Sequence, residues 1–196
     1  MAKKKSKQKE VEQEVKPFSI TAASLNDEIC SYSYEVNIGP NEGDTHNVKG
    51  KNVIHPDLGN AFHTLNRHLA ALDDAFKGED IDIDREQNNP IVGLYHVDGI
   101  KIKGKTDNES VILIGTKYVN SVSARFSIES PRIAIDPLAS YKWHNELKAA
   151  VDEIKREVEA YMNGKCTPKE EVEVVDANQL RIDTKETEEE FEGAKL

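Results

Sequence analysis

The chain has 196 residues and a mass of 22.0 kDa, enough for one domain of ordinary size or two very small ones. Apolar residues make up 37 % and charged residues 32 %, a balance that points to polar ends around a smaller packed core. The formal net charge of −10 excludes a uniformly basic nucleic-acid coat, and no apolar run approaches the roughly 18 residues of a membrane span.

Residues 1–16 carry six Lys and three Glu. They cannot bury enough apolar surface to offset ordering entropy, so they read as a disordered basic arm. No apolar segment follows the lysines of MAKKKSKQKE, so the start does not read as a secretory signal. Three β-like stretches follow at Phe18–Ala23, Glu28–Ile38 and His46–Ile54, separated by the breakers Asn26-Asp27 and Gly39–Asp44. Next, Leu58, Phe62, Leu65, Leu69, Leu72 and Phe76 recur at intervals of 4, 3, 4, 3 and 4, one stripe of an amphipathic helix. Pro56 suits its first turn, Asp57 suits its positive end, and Gly78 offers a stop.

The link Lys77–Pro90 is polar and acidic and reads as an exposed loop. Beyond it, Ile91–Gly104, Ser110–Val119 and Ser123–Ile133 again alternate like strands. A second helical stripe runs through Trp143, Leu147, Val151, Ile154, Val158 and Tyr161 or Met162. Asp136 is placed as its N-cap with Pro137 behind it, and Asn163-Gly164 as its end. The fold class predicted is α+β. One or more antiparallel sheets carry two long amphipathic helices of about 20–26 residues in the order βββα-βββα. Residues 17–176 form one domain, within which 17–78 and 91–164 can be read as two βββα units. Residues 177–196 read as a disordered acidic tail, and Glu171–Val175 as a short strand before it.

The charge is uneven along this order. Residues 17–90 hold five basic and 13 acidic side chains, residues 91–137 six and five, residues 138–164 four and five, and residues 165–196 five and ten. The 91–137 strands are the only folded part with a positive balance. In Gly99–Lys105, Ile100 and Ile102 alternate with Lys101, Lys103 and Lys105, so a strand sends isoleucines to the core and lysines to the open face. In Ser123–Ile128, Ala124, Phe126 and Ile128 are expected inward and Arg125 outward. Lys117 and Tyr118 end the strand between. A face carrying Lys101, Lys103, Lys105, Lys117 and Arg125, with Tyr118 or Tyr95 near it, has the parts to track phosphates and stack a base. The plainer reading is a polar solvent face whose lysines guard against aggregation.

Catalytic signals are thin. There is no Gly-rich phosphate loop, no G-x-S-x-G and no C-x-x-C. His63 and His68 are five apart, whereas a zinc helix uses i, i+4. Asp80, Asp82 and Asp84 alternate in a way that could hold a cation, but the glycine and closing glutamate of a calcium loop are missing. Cys30 has no basic neighbour to activate it and reads as a small buried hydrophobe. Two cysteines make no disulfide framework, which suits a reducing cytosol. The sequence thus predicts no catalytic residue, no metal and no cofactor.

At the other end, Glu186–Glu192, with Glu188, Glu189, Glu190 and Phe191 at its centre, resembles the acidic tails of phage and bacterial single-strand-binding proteins. Those tails recruit partner enzymes and compete with DNA for the basic face. They usually finish on an apolar tip, whereas here Glu192-Gly193-Ala194-Lys195-Leu196 follows Phe191.

His55-Pro56-Asp57-Leu58, Ala61-Phe62, Leu65 and His68-Leu69-Ala70, then Gly99-Ile100-Lys101-Ile102-Lys103-Gly104 and Val111-Ile112-Leu113-Ile114-Gly115, resemble a group of uncharacterised phage and prophage proteins of gut bacteria. The resemblance covers about residues 18–170. Some members sit beside recombination and single-strand-binding genes, which implies a role in phage DNA metabolism but brings no catalytic residues. The leading expectation is a non-enzymatic, single-stranded nucleic-acid-binding accessory of phage replication or recombination, in the host cytoplasm. Its expected partners are single-stranded DNA and, through the acidic tail, phage or host proteins, with a homo-oligomer left open. The alternative is a protein-interaction or assembly component, either a virion protein or an inhibitor of a host defence system. The acidic balance of residues 17–90 would engage a basic partner. A metal-dependent hydrolase or nuclease rests only on scattered His and Asp.

Overall fold

A computed structural model describes residues 16–76, 82–104, 108–136 and 139–168. The basic arm through residue 15, the Glu171–Val175 segment and the tail residues Glu188, Glu189, Glu190 and Phe191 lie outside the described residues, as do Lys105 and Asp80. The α+β class with an antiparallel sheet is as the sequence predicts. β1 (Phe18–Asn26), β2 (Ile29–Val36) and β3 (Thr45–Val53) form a meander, and so do β4 (Tyr95–Lys103), β5 (Ser110–Val119) and β6 (Ala124–Glu129). The meanders join through β1 and β4, giving the order β3-β2-β1-β4-β5-β6 with every pair antiparallel. A seventh strand, β7 (Ile133–Ala134), pairs with the start of β5 on the same side as β6.

The helices depart from expectation. The first is not one long helix but two short ones, α1 (Pro56–Thr64) and α2 (Asn66–Leu72), and the second, α3 (His144–Met162), has 19 residues. The βββα-βββα order with two long helices is therefore replaced by three strands and a broken helix, then four strands and α3. The predicted stripe is still buried, because Leu58, Phe62, Leu65 and Leu69 are at most 1 % exposed. The break at Leu65 has local and distant causes. The Thr64 hydroxyl donates to the Ala61 carbonyl at 2.7 Å, competing with the helical ladder. Asn66, itself buried, accepts the Val97 N–H at 2.8 Å. Val97 stands beside a bulge in β4, between Val97 and Gly99, and the side chain satisfies a donor left in the core.

Asp136 does not cap α3. Its carbonyl closes a turn to Ala139, and the helix starts eight residues later, with Trp143 at the N-cap and no side-chain cap bond. The expected stop is present. Gly164 takes a left-handed φ of 96°, and the Lys165 N–H returns to the Ala160 carbonyl at 2.9 Å. Along α3, Leu147, Val151, Ile154 and Val158 are fully buried, each stabilising the fold by about 1.5–3 kcal/mol. The link after α2 is also not simply a solvated loop. Ile83 is buried in the core, and Arg67 of α2 holds Asp84 at 2.9 Å. No helix among the described residues is long and apolar enough to cross a membrane.

Candidate nucleic-acid interface

The helices cover one face of the sheet, and strand alternation fixes which side chains they leave on the other. Tyr95, Val97, Ile100 and Ile102 of β4 and Val111 and Leu113 of β5 are buried. Their neighbours Lys101 and Lys103 are exposed on the opposite side, as the alternation requires. Two cross-strand rows define this open face. Asn47, Ser33, Ala22, Lys101 and Ile112 stand opposite one another across β3, β2, β1, β4 and β5. Lys49, Ser31, Ser24, Gly99, Ile114 and Glu129 form the second row and reach β6. Tyr118 and Arg125 form a facing pair further along.

The middle of both rows is made of small residues. Ala22, Ser24, Ser31, Ser33 and Gly99 floor a trough of about 480 Å³, with Asn47, Lys49, Asp98, Lys101 and Ile114 on its rims. Lys49 and Lys101 stand on strands three spacings apart, about 14 Å, which fits one extended chain between them. Among the described residues Lys49 and Lys103 form no ion pair, while Lys101 reaches Glu129 at 3.3 Å with both side chains about half exposed. A pair so exposed contributes little, so a phosphate can displace it. Arg125 is exposed, with a weak 3.4 Å contact to the Thr116 hydroxyl. Asp98 also stands on the trough rim, and partial burial raises its carboxyl.

The structure brings Lys101, Lys103, Tyr118 and Arg125 to this face but not Lys117. Lys117 pairs in register with Tyr95 and Phe126 and lies on the helix side. There it donates to Asp73, at the end of α2, at 2.5 Å, sits 5.2 Å from the Tyr95 ring centre, and shares Asp73 with the Tyr95 hydroxyl at 2.6 Å. The bond to Asp73, then that to Tyr95, raises the Lys117 ammonium above its ordinary range. Lys117 is a helix-to-sheet tie, and Tyr95, 3 % exposed, is a core residue, not a stacking platform. Phe126 points to the helix side as expected but is 50 % exposed, because the helices do not extend over β6.

Several residues of the trough escape a reading of the sequence, above all Lys49 and the Ser31/Ser33 pair. The signal is present in Cys30-Ser31-Tyr32-Ser33-Tyr34, where small polar residues alternate with large ones. Among the described residues no group of His, Cys, Asp or Glu is placed to hold a metal ion. Asp82 pairs with Arg85 and Asp84 with Arg67. Cys30 is fully buried, and burial pushes its thiol up to about 12, so it is an unreactive core residue. Compared with known protein families, curated proteins and solved structures, the chain matches none.

Proposed function

We propose that the protein binds single-stranded nucleic acid without catalysing a reaction, laying one strand along the small-residue trough. The observation that carries this reading is the trough itself, a shallow floor between rims that bear Lys49 on one side and Lys101 on the other, with Lys103 beyond it along β4. Lysines neutralise phosphates and release counterions. The low floor admits sugar and base, Ile112 and Ile114 offer apolar contact, and Tyr118 beside Arg125 offers a place for stacking. In this reading single-stranded DNA is the partner, the setting is phage replication or recombination in the host cytoplasm, and the acidic tail competes for the lysines and recruits phage or host proteins.

This arrangement also places part of the acidic first half. Asp57, Asp73, Asp82, Asp84 and Glu86 lie on or beside α1, α2 and the link packed against α2, away from the open face. These carboxylates thus stand on the helix side of the sheet, opposite the trough. The test is fluorescence anisotropy of a labelled oligothymidine at about 50 and 200 mM salt. Binding should weaken with salt, and the triple variant K49A/K101A/K103A should flatten the slope by about 2. K117A should bind like the parent. No binding at about 50 mM salt refutes the reading, because phosphate contacts are strongest there.

A second reading, a protein-interaction or assembly component, draws on a different observation. Val122 and Phe126 are 57 % and 50 % exposed on and beside an edge strand, and apolar side chains so placed suit a protein surface better than a phosphate chain.

A further inference from the structure

The sheet ends on two strands, and they are not alike. β3 is a blunted edge. Its pairing with β2 breaks between Ile29 and Ser31, it carries Lys49 and Lys51, and the chain after α3 covers its end through the Ile54–Cys166 bridge and the Thr167 N–H bond to Val53. Each of these devices discourages pairing with another strand. Among the described residues β6 lacks the bulge, the lysines and the covering segment, and its two charges are of opposite sign. It runs six residues without proline, lysine or bulge, in regular register with β5 from Glu129 to Ala124, and among the described residues nothing pairs with its outer edge.

We infer that two copies of the chain join through β6, edge to edge and antiparallel, about a two-fold axis at Ser127. The register follows from parity. Such an axis is perpendicular to the sheet and keeps each side chain on its own face, so opposed residues must share a face. Arg125, Ser127 and Glu129 lie on the open face, while Phe126 and Ile128 lie on the helix side. Opposed residue numbers must therefore sum to an even value. With Ser127 opposite itself, each Arg125 meets the other copy's Glu129 and each Phe126 meets the other copy's Ile128. Placing Phe126 opposite itself leaves each Arg125 against a serine, and placing Ile128 opposite itself leaves each Glu129 against a serine. Only the Ser127 register pairs both charges and both apolar side chains. Opposite charges and aromatic–aliphatic pairs are what stabilise neighbouring strands. The contact would cover Phe126 and satisfy the free backbone groups of the edge with about four to six hydrogen bonds.

The test is charge reversal with complementation, read by sedimentation equilibrium of the full chain. The parent should move from 22.0 kDa toward twice that mass as concentration rises to about 100 μM. R125E and E129R each set like charges opposite one another twice and should weaken association at least about tenfold. An equimolar mixture should associate like the parent. One copy then carries acidic side chains at both positions and the other carries basic ones, so each facing pair is again opposite in charge. A second probe does not depend on charge. Ser127→Cys places two thiols across the axis, where Cα atoms lie about 4.5–5.5 Å apart, within the span of a disulfide. It should cross-link under mild oxidation, and Thr45→Cys on the other edge should not. A parent that stays monomeric at about 100 μM overturns the inference. So does a dimer that both reversals leave intact, or a mixture of the two that fails to associate.

Discussion

His68 offers the sharpest test of the packing. Its side chain is fully buried in α2, with Nδ1 3.1 Å from the Tyr141 hydroxyl and Nε2 buried without a partner among the described residues. Burial, and then the charge of neighbouring Arg67, drives the imidazole from 6.5 down to about 3. The folded protein therefore holds His68 neutral, whereas the unfolded chain takes up a proton near pH 6.5. Stability is complete above pH 6.5 and falls as the pH drops toward 3. From pH 7.5 to pH 5 the loss is about 2 kcal/mol, from 1.5 pH steps at about 1.4 kcal/mol each. Two carboxylates act outside this window. Lys165 holds Asp57 low, and at Asp73 the effect of burial is outweighed by the bonds from Lys117 and Tyr95. Both lose their contribution only below about pH 4. The assay is urea unfolding at both pH values, where the parent midpoint should fall by roughly 1 M. His68→Phe should lack that part of the shift. At pH 7.5 it should cost about 1–3 kcal/mol, because the half-buried Tyr141 hydroxyl loses its partner, and the double variant H68F/Y141F should recover most of it. A His68→Phe variant with the same pH dependence as the parent would refute the reasoning.

Other consequences are quickly checked. Asn66→Ala strands the Val97 N–H in the core and should cost about 1–3 kcal/mol in chemical unfolding. Gly50→Ala drives a methyl group into the Tyr161 hydroxyl and the Cys30 carbonyl, so it should destabilise by more than about 1 kcal/mol. K117A should lower the thermal midpoint by loosening the end of α2 from β5, yet leave nucleic-acid affinity unchanged; K101A should do the reverse.

The strands were legible because burial on one face writes itself as alternation. Ser110–Val119 has the same bounds in sequence and structure, and Ile100/Lys101/Ile102/Lys103 divided as the pattern required. Lys117 was misplaced although the same rule governs it, since Lys117 and Tyr118 are adjacent in one strand and cannot share a face. The helix break was hidden for a different reason. A stripe at intervals of 3 and 4 survives a break that keeps both segments against the same sheet, and the partner of Asn66 lies 31 residues away. The trough was hidden in the strand order. Lys49 comes near Lys101 only once β1 and β4 meet, and no local pattern specifies that pairing.

The two proposals meet at β6. Arg125 belongs both to the open face and to the inferred axis, and the axis is perpendicular to the sheet, so pairing would place both troughs on the same side of one continuous sheet. Tyr118 and Arg125 of the two copies would then stand near its centre, and a single strand could cross from one trough to the other. Whatever binds the paired form more tightly than the single chain must promote pairing. Oligothymidine long enough to cross both troughs should therefore raise the fraction of dimer at fixed protein concentration, and a short oligonucleotide that fills one trough should not. If long and short oligonucleotides act alike on the parent, while R125E binds both as well as the parent does, then the trough and the edge are independent surfaces and only their separate tests bear on them.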